Sequence, residues 1–176
     1  MSEAVMLSVR PKWCEKIVTG EKTIEVRKTR PKMETPFRCY IYCTQSGDVR
    51  RLVGERGKVI GEFVCDRIYR LVTPRLGGSY SVEGEGQPTT NDVARHSCLT
   101  LWDMHEYLQA GKGYGWHISK LEIYDTPKEL SEFRRVCPND LYCESCAMHW
   151  ENNGTCGNES LRLKRPPQSW CYVEGM

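Results

Sequence analysis

The sequence predicts an α+β fold: a small β-barrel or strongly bent sheet with flanking helices and a Cys-rich C-terminal appendage. Three observations predict it. Runs rich in Val, Ile, Tyr and Phe, among them Arg38 to Thr44 and Lys58 to Val64, are short and separated by Gly- and Pro-bearing turns, which suits a compact, bent β unit. Helical signals are confined to brief stretches with recognisable starts and stops. Cys137, Cys143, Cys146 and Cys156 crowd into the stretch from Val136 to Gly157, which holds too little apolar material to build its own core. At 176 residues the chain suits one well-cored domain with an appendage rather than two average domains. The expected division is 1–133 for the main domain, 134–160 for the appendage and 161–176 for a segment returning to the barrel.

Taken in order, Pro11 supplies a favourable first helical residue, and Trp13, Ile17 and Val18 give the run from Pro11 to Thr19 an apolar stripe. Gly20 suits the left-handed residue that ends such a helix. In the strand that follows, alternation sets Ile24 and Val26 on one face and Thr23, Glu25 and Arg27 on the other. Cys39 and Cys43 share a strand face with Phe37 and Ile41, and Cys65 lies on the Phe63 face of the next strand, so these thiols are predicted to be small buried hydrophobes. Residues 76–92 hold four glycines and no helical period, which predicts a long surface loop. Thr100 with Asp103 three residues on opens a second helix carrying Leu101, Met104, Tyr107 and Leu108, closed at Gly111. Between Trp116 and Tyr124 the apolar residues switch face midway, as in a strand that bends or is covered on both sides. Thr126, Pro127 and Glu129 form a capping-box start for a short helix through Phe133. The tail from Arg165 to Val173 reads as a final strand entered through the rigid Pro166-Pro167 pair.

The most informative stretch is Gly20-Glu21-Lys22-Thr23-Ile24-Glu25-Val26-Arg27, where a helix stop meets a strand carrying basic, hydroxyl and acidic side chains. It is open to two readings, a solvated strand face with charge pairing or a ligand site. The pattern Gly-x-Lys-x-x-Glu-x-Arg resembles the signature of the ASCH domain, a branch of the PUA-like superfamily. The resemblance extends to Leu7-Ser8-Val9-Arg10-Pro11-Lys12-Trp13, to the strands at 38–44 and 58–64, and to the run from Tyr114 to Leu121. It covers residues 5–133, with Trp170 to Val173 in addition.

That resemblance implies a cleft between the helix end and the barrel that takes RNA or a modified, nucleotide-like ligand, bound through Gly20, Lys22, Glu25 and Arg27. A lysine and a forked arginine can hold a phosphate, while Glu25 can orient Arg27 or accept from a base amino group. Trp116 first, and Tyr42 second, are the aromatics that could stack on an unpaired base; barrel core is the other reading of Trp116. A subset of the family resembles small amidohydrolases acting on N4-acetylcytidine, and this implies a catalytic set of Lys22, Thr23 and Glu62. Thr23 would attack the amide carbonyl, Lys22 would take its proton and Glu62 would position the lysine or the substrate amine, without a catalytic cofactor. A third class is an interaction module whose barrel presents the appendage to a protein partner.

The formal net charge is only +2, so nucleic-acid binding by general coating of phosphates is excluded and any such binding must use local patches. The candidate patches are Arg27 to Lys32, Arg50-Arg51 and Leu163 to Arg165. The N-terminal stretch has no apolar run long enough for a signal core or a membrane span, which predicts a soluble, cytoplasmic protein. Ten cysteines in that compartment are expected as reduced thiols rather than a disulfide framework. Cys143 and Cys146 have the two-residue separation that lets both thiolates bind one tetrahedral ion, and Cys137 and Cys156 would complete a closed structural zinc site. His149 and Cys171 are rival ligands.

Overall fold

Residues 3–45, 56–72, 80–83, 87–109, 111–137, 146–151 and 156–175 are described by the structure, a computed structural model. β1 (Glu3–Val9) leads into α1 (Pro11–Val18), β2 (Ile24–Arg27), β3 (Phe37–Cys43) and β4 (Val59–Val72). After these come β5 (Ser81–Val82), α2 (Thr90–Ser97), α3 (Leu101–Leu108) and β6 (Gly113–Lys128). A 3-10 turn (Leu130–Glu132), the short α4 (Ala147–Glu151), a second 3-10 turn (Glu159–Leu161) and β7 (Trp170–Glu174) complete the order.

Among the described residues the strands form one sheet of seven in the order β2-β6-β4-β3-β1-β7, with β5 paired to β4. β1 runs parallel to β3, and the other pairings are antiparallel. The sheet is not closed into a barrel, contrary to the sequence expectation; of the two forms predicted, the open, bent sheet is the one found. β2 pairs only with β6 and β7 only with β1, and the gap between these two edges is crossed by side chains. Arg27 Nη1 donates to Ser169 Oγ (3.3 Å), Trp170 Nε1 to Thr29 Oγ1 (3.0 Å) and the Lys32 amide to the Tyr172 hydroxyl (2.8 Å). Prolines explain why no ladder forms there: Pro31 beyond β2 and Pro166-Pro167 before β7 have no N–H with which to extend pairing.

β1 and β3 are buried on both faces, because alternate residues feed two clusters. Val5, Leu7, Cys39, Ile41, Cys43, Phe63 and Cys65 pack with Cys14 and Ile17 of α1, which places the three strand thiols in the core as the alternation predicted. Ala4, Met6, Tyr40 and Tyr42 pack on the opposite face with Phe133, Leu163 and Val173. A third cluster joins Ile24 and Val26 of β2 to Val93, Met104 and Leu108 of α2 and α3. Gly61 is required where β4 crosses β6, since a Cβ there would collide with the Glu122 carbonyl oxygen.

Two local expectations are corrected. The stretch 76–92 is not loop throughout: β5 and the start of α2 lie within it, and Thr89 with Asp92 forms a complete capping box for α2. β6 runs on to Lys128 and displaces the helix expected from Thr126; only a 3-10 turn follows, capped by Glu129 and Glu132. The predicted bend in β6 is present, with register shifts against β4 and Lys120 at φ +47°. No described helix is long and apolar enough to cross a membrane.

Candidate binding cleft

The end of α1 sets the geometry of the site. The Gly20 amide donates to the Ile17 carbonyl (3.0 Å), and Gly20 takes φ +76° with no heavy atom within 4 Å of where a Cβ would stand. This left-handed step turns the chain so that the Lys22 amide returns to the Lys16 carbonyl (2.8 Å) and β2 starts beside the helix end. Glu25 and Arg27, which alternation assigned to a polar face, are buried, and so is Lys22. They form a continuous ion triad: Lys22 Nζ lies 3.1 Å from Glu25 Oε2, and Arg27 Nη2 lies 2.9 Å from Glu25 Oε1.

Each cation is also held from behind. Lys22 Nζ donates to the carbonyls of Ile24 (2.9 Å) and Ser97 (2.8 Å), so with Glu25 its three acceptors match the three N–H bonds of an ammonium. Ser97 is the last residue of α2, where a cation meets the negative end of the helix dipole. Arg27 Nη2 donates to the Ser8 carbonyl (2.6 Å) and Nη1 to Ser169. Burial alone would push the Glu25 carboxyl up, but the charges of Lys22 and Arg27, with their hydrogen bonds, outweigh it and hold the carboxyl below its ordinary value. The solvated-face reading of this strand is therefore replaced by a buried ion-pair clamp.

Above the clamp lies a cleft of about 640 Å³, within the size range of small-ligand sites. Lys22, Glu25 and Arg27 form its floor, Trp13 of α1 and Tyr107 of α3 stand as aromatic walls, and Arg10, Lys12, Asp103 and Glu106 are at the rim. Lys12 Nζ sits 4.3 Å from the centre of the Trp13 ring and Lys22 Nζ 5.2 Å from it. Arg10 caps α1 with no side-chain hydrogen bond, and no acidic residue occupies the first turn. The positive end of this helix is thus uncompensated beside the two rim cations. Asp103, by contrast, is engaged in the Thr100 capping box that starts α3.

The structure brings Lys22, Glu25 and Arg27 together and places Gly20 at the turn that delivers them. It puts the two expected stacking residues elsewhere. Trp116 is 0% exposed, packed edge-on against Phe37 and beside Trp170, and Tyr42 is buried in the cluster on the opposite sheet face. Trp13 and Tyr107 are the aromatics at the cleft; both were read as helix stripe, and the signal that separates them is their offset from the positions facing the core, Cys14 and Ile17 in α1, Met104 and Leu108 in α3. Lys22, Thr23 and Glu62, the expected catalytic set, each have separate partners, those of Lys22 being the clamp contacts above. Thr23 Oγ1 lies 3.1 Å from His96 Nδ1, while Glu62 accepts from the Tyr124 hydroxyl (2.5 Å) and faces Arg38 (3.4 Å). Of the cysteine cluster, Cys143 lies outside the described residues, and Cys137, Cys146 and Cys156 are free thiols. Among the described residues no group of three or more His, Cys, Asp or Glu could hold a metal ion.

Residues 7–72, which span α1, the clamp, β3 and β4, match the family model of the ASCH domain. Over these residues the chain is similar to the ASCH domain. The crystal structure of an ASCH protein from Zymomonas mobilis has the same fold, with a TM-score of 0.52 at 18% identity over 97% of this chain and 87% of that one. A tyrosine-to-phenylalanine variant of the Zymomonas mobilis protein gives a TM-score of 0.50 at 17% identity, over 97% of this chain and 90% of that chain. No curated protein matches the chain in sequence. The clamp residues Lys22, Glu25 and Arg27 lie within the matched stretch.

Proposed function

We propose that the ASCH cleft binds RNA by holding one base, standard or modified, between Trp13 and Tyr107 over the Glu25 carboxylate. The observation that carries this reading is the clamp: two buried cations keep Glu25 ionised, yet each of its oxygens retains a lone pair, so it can accept from the amino or imino edge of a base. Because the N–H groups of Lys22 are all engaged and Arg27 is tied to Ser8 and Ser169, the motif cations act on the ligand through Glu25 rather than on a phosphate. Phosphate contact falls instead to Arg10, Lys12 and the uncapped start of α1. Trp13 supplies the stacking face, with Lys12 Nζ 4.3 Å from the centre of its ring.

The test is fluorescence anisotropy with a short fluorescein-labelled single-stranded RNA of mixed sequence. Trp13→Ala is expected to weaken binding by about 5- to 150-fold, the loss of one stacked base. Arg10→Ala and Lys12→Ala should each lower the salt dependence of log K by about 0.7. RNA binding that is absent, or unaffected by all three substitutions, overturns the reading.

A further inference from the structure

The cleft accounts for Glu25 and its neighbours but leaves the two basic runs flanking it without a role. With a net charge of only +2 over the whole chain, where the cations gather matters more than how many there are. Arg27 to Lys32 lies along the open seam between β2 and β7, and Lys164-Arg165 lies in the segment that leads into β7. Successive contacts Arg27 with Ser169, Thr29 with Trp170 and Lys32 with Tyr172 align the first run alongside β7. The second run reaches the same place just upstream, where the Pro167 carbonyl accepts from Ser8 Oγ (2.7 Å) and Gln168 lines the cleft. Lys28, Arg30, Lys32, Lys164 and Arg165 are all exposed.

We propose that this seam carries the sugar-phosphate backbone of a single-stranded polynucleotide whose one base occupies the cleft, a proposal that rests on the binding reading above. The seam starts at the cleft floor, since Arg27 belongs to both. Its contacts run from Ser169 to Tyr172, about 10 Å of extended chain, enough to pass more than one phosphate. Half-buried Trp170 and Tyr172 alternate with the cations, and their rings meet edge-on at 5.4 Å. Aromatics set among basic side chains track unpaired nucleic acid without reading its sequence. The partner is therefore a nucleotide within a strand rather than a free nucleoside.

Two double variants test this, Arg30→Ala with Lys32→Ala and Lys164→Ala with Arg165→Ala, on exposed positions outside the cleft. Binding of the labelled single strand is measured across a salt series, alongside displacement by a mixture of nucleoside monophosphates and binding to a duplex of the same RNA. Each double variant should weaken the single strand and lower its salt slope by about 1.4, two contacts' worth, while displacement by monophosphates is unchanged. Wild-type affinity and slope in both variants overturn the seam, and so does an equal loss on duplex RNA. If Trp13→Ala is silent while the seam variants weaken binding, it is the cleft reading that fails.

Discussion

Glu25→Gln changes one atom type at the centre of the clamp and leaves its shape intact. In the wild type the carboxylate faces Lys22 and Arg27 at 3.1 and 2.9 Å, with side chains only 2%, 8% and 10% exposed for Lys22, Glu25 and Arg27. The amide oxygen of Gln can satisfy one cation, but its NH2 then points at the other. Removing one partner of a buried ion pair costs about 3–5 kcal/mol, and at this chain length that lowers Tm by about 6–20 °C. Urea denaturation and thermal unfolding of both proteins measure it. Because the clamp is buried, the difference should survive high salt, which screens exposed pairs. The pH dependence carries a definite sign: the folded carboxyl lies below its ordinary value of 4.5, so its contribution is complete above that value and is lost as pH falls through the folded one. The gap between wild type and variant should therefore stay flat from neutral pH down to about pH 5 and close in stronger acid. A gap below about 1 kcal/mol, the level of a surface pair, or one that persists unchanged in acid, refutes the clamp.

Two further outcomes are expected. Incubated with N4-acetylcytidine, free or within short RNA, the protein should release no cytidine detectable by chromatography; turnover that Thr23→Ala abolishes would restore the amidohydrolase set of Lys22, Thr23 and Glu62. Plasma mass spectrometry of the purified protein is expected to find about one zinc per chain, the stoichiometry of a four-thiolate structural site at Cys137, Cys143, Cys146 and Cys156. Chelation should then loosen that segment while far-UV circular dichroism of the sheet is retained, and a metal-free protein with an unaltered fold removes the metal.

Signals local to the chain read well in this sequence. The Pro11 start and Gly20 stop of α1 are set by backbone chemistry, and the burial of Cys39, Cys43 and Cys65 follows from alternation with Phe37, Ile41 and Phe63. Even the change of face along β6 was visible, although the left-handed Lys120 that accompanies it was not. What alternation could not supply was the environment of the polar face. Glu25 and Arg27 are polar by pattern and buried by tertiary structure: the Ser8 carbonyl of β1 accepts from Arg27, and Lys22, held by the Ser97 carbonyl of α2, pairs with Glu25. The aromatic walls were missed for a related reason: a helical stripe tells which residues leave the solvent, not whether a wheel position borders core or cleft. β6 overran its predicted end because pairing with β4 outcompeted a capping signal, and α2 was passed over although Thr89 and Asp92 announce it.

The way β7 is held has a mechanical consequence. Among the described residues it is zipped to the sheet along one side only, by β1, and Ser169, just before its start, supplies the hydroxyl that braces Arg27. A load applied at the C-terminal side would peel this strand first, with the rest of the sheet still standing. The binding floor would loosen before the fold did, so fusions or tethers placed after β7 act directly on the clamp, whereas those placed before β1 pull on a strand secured along both sides.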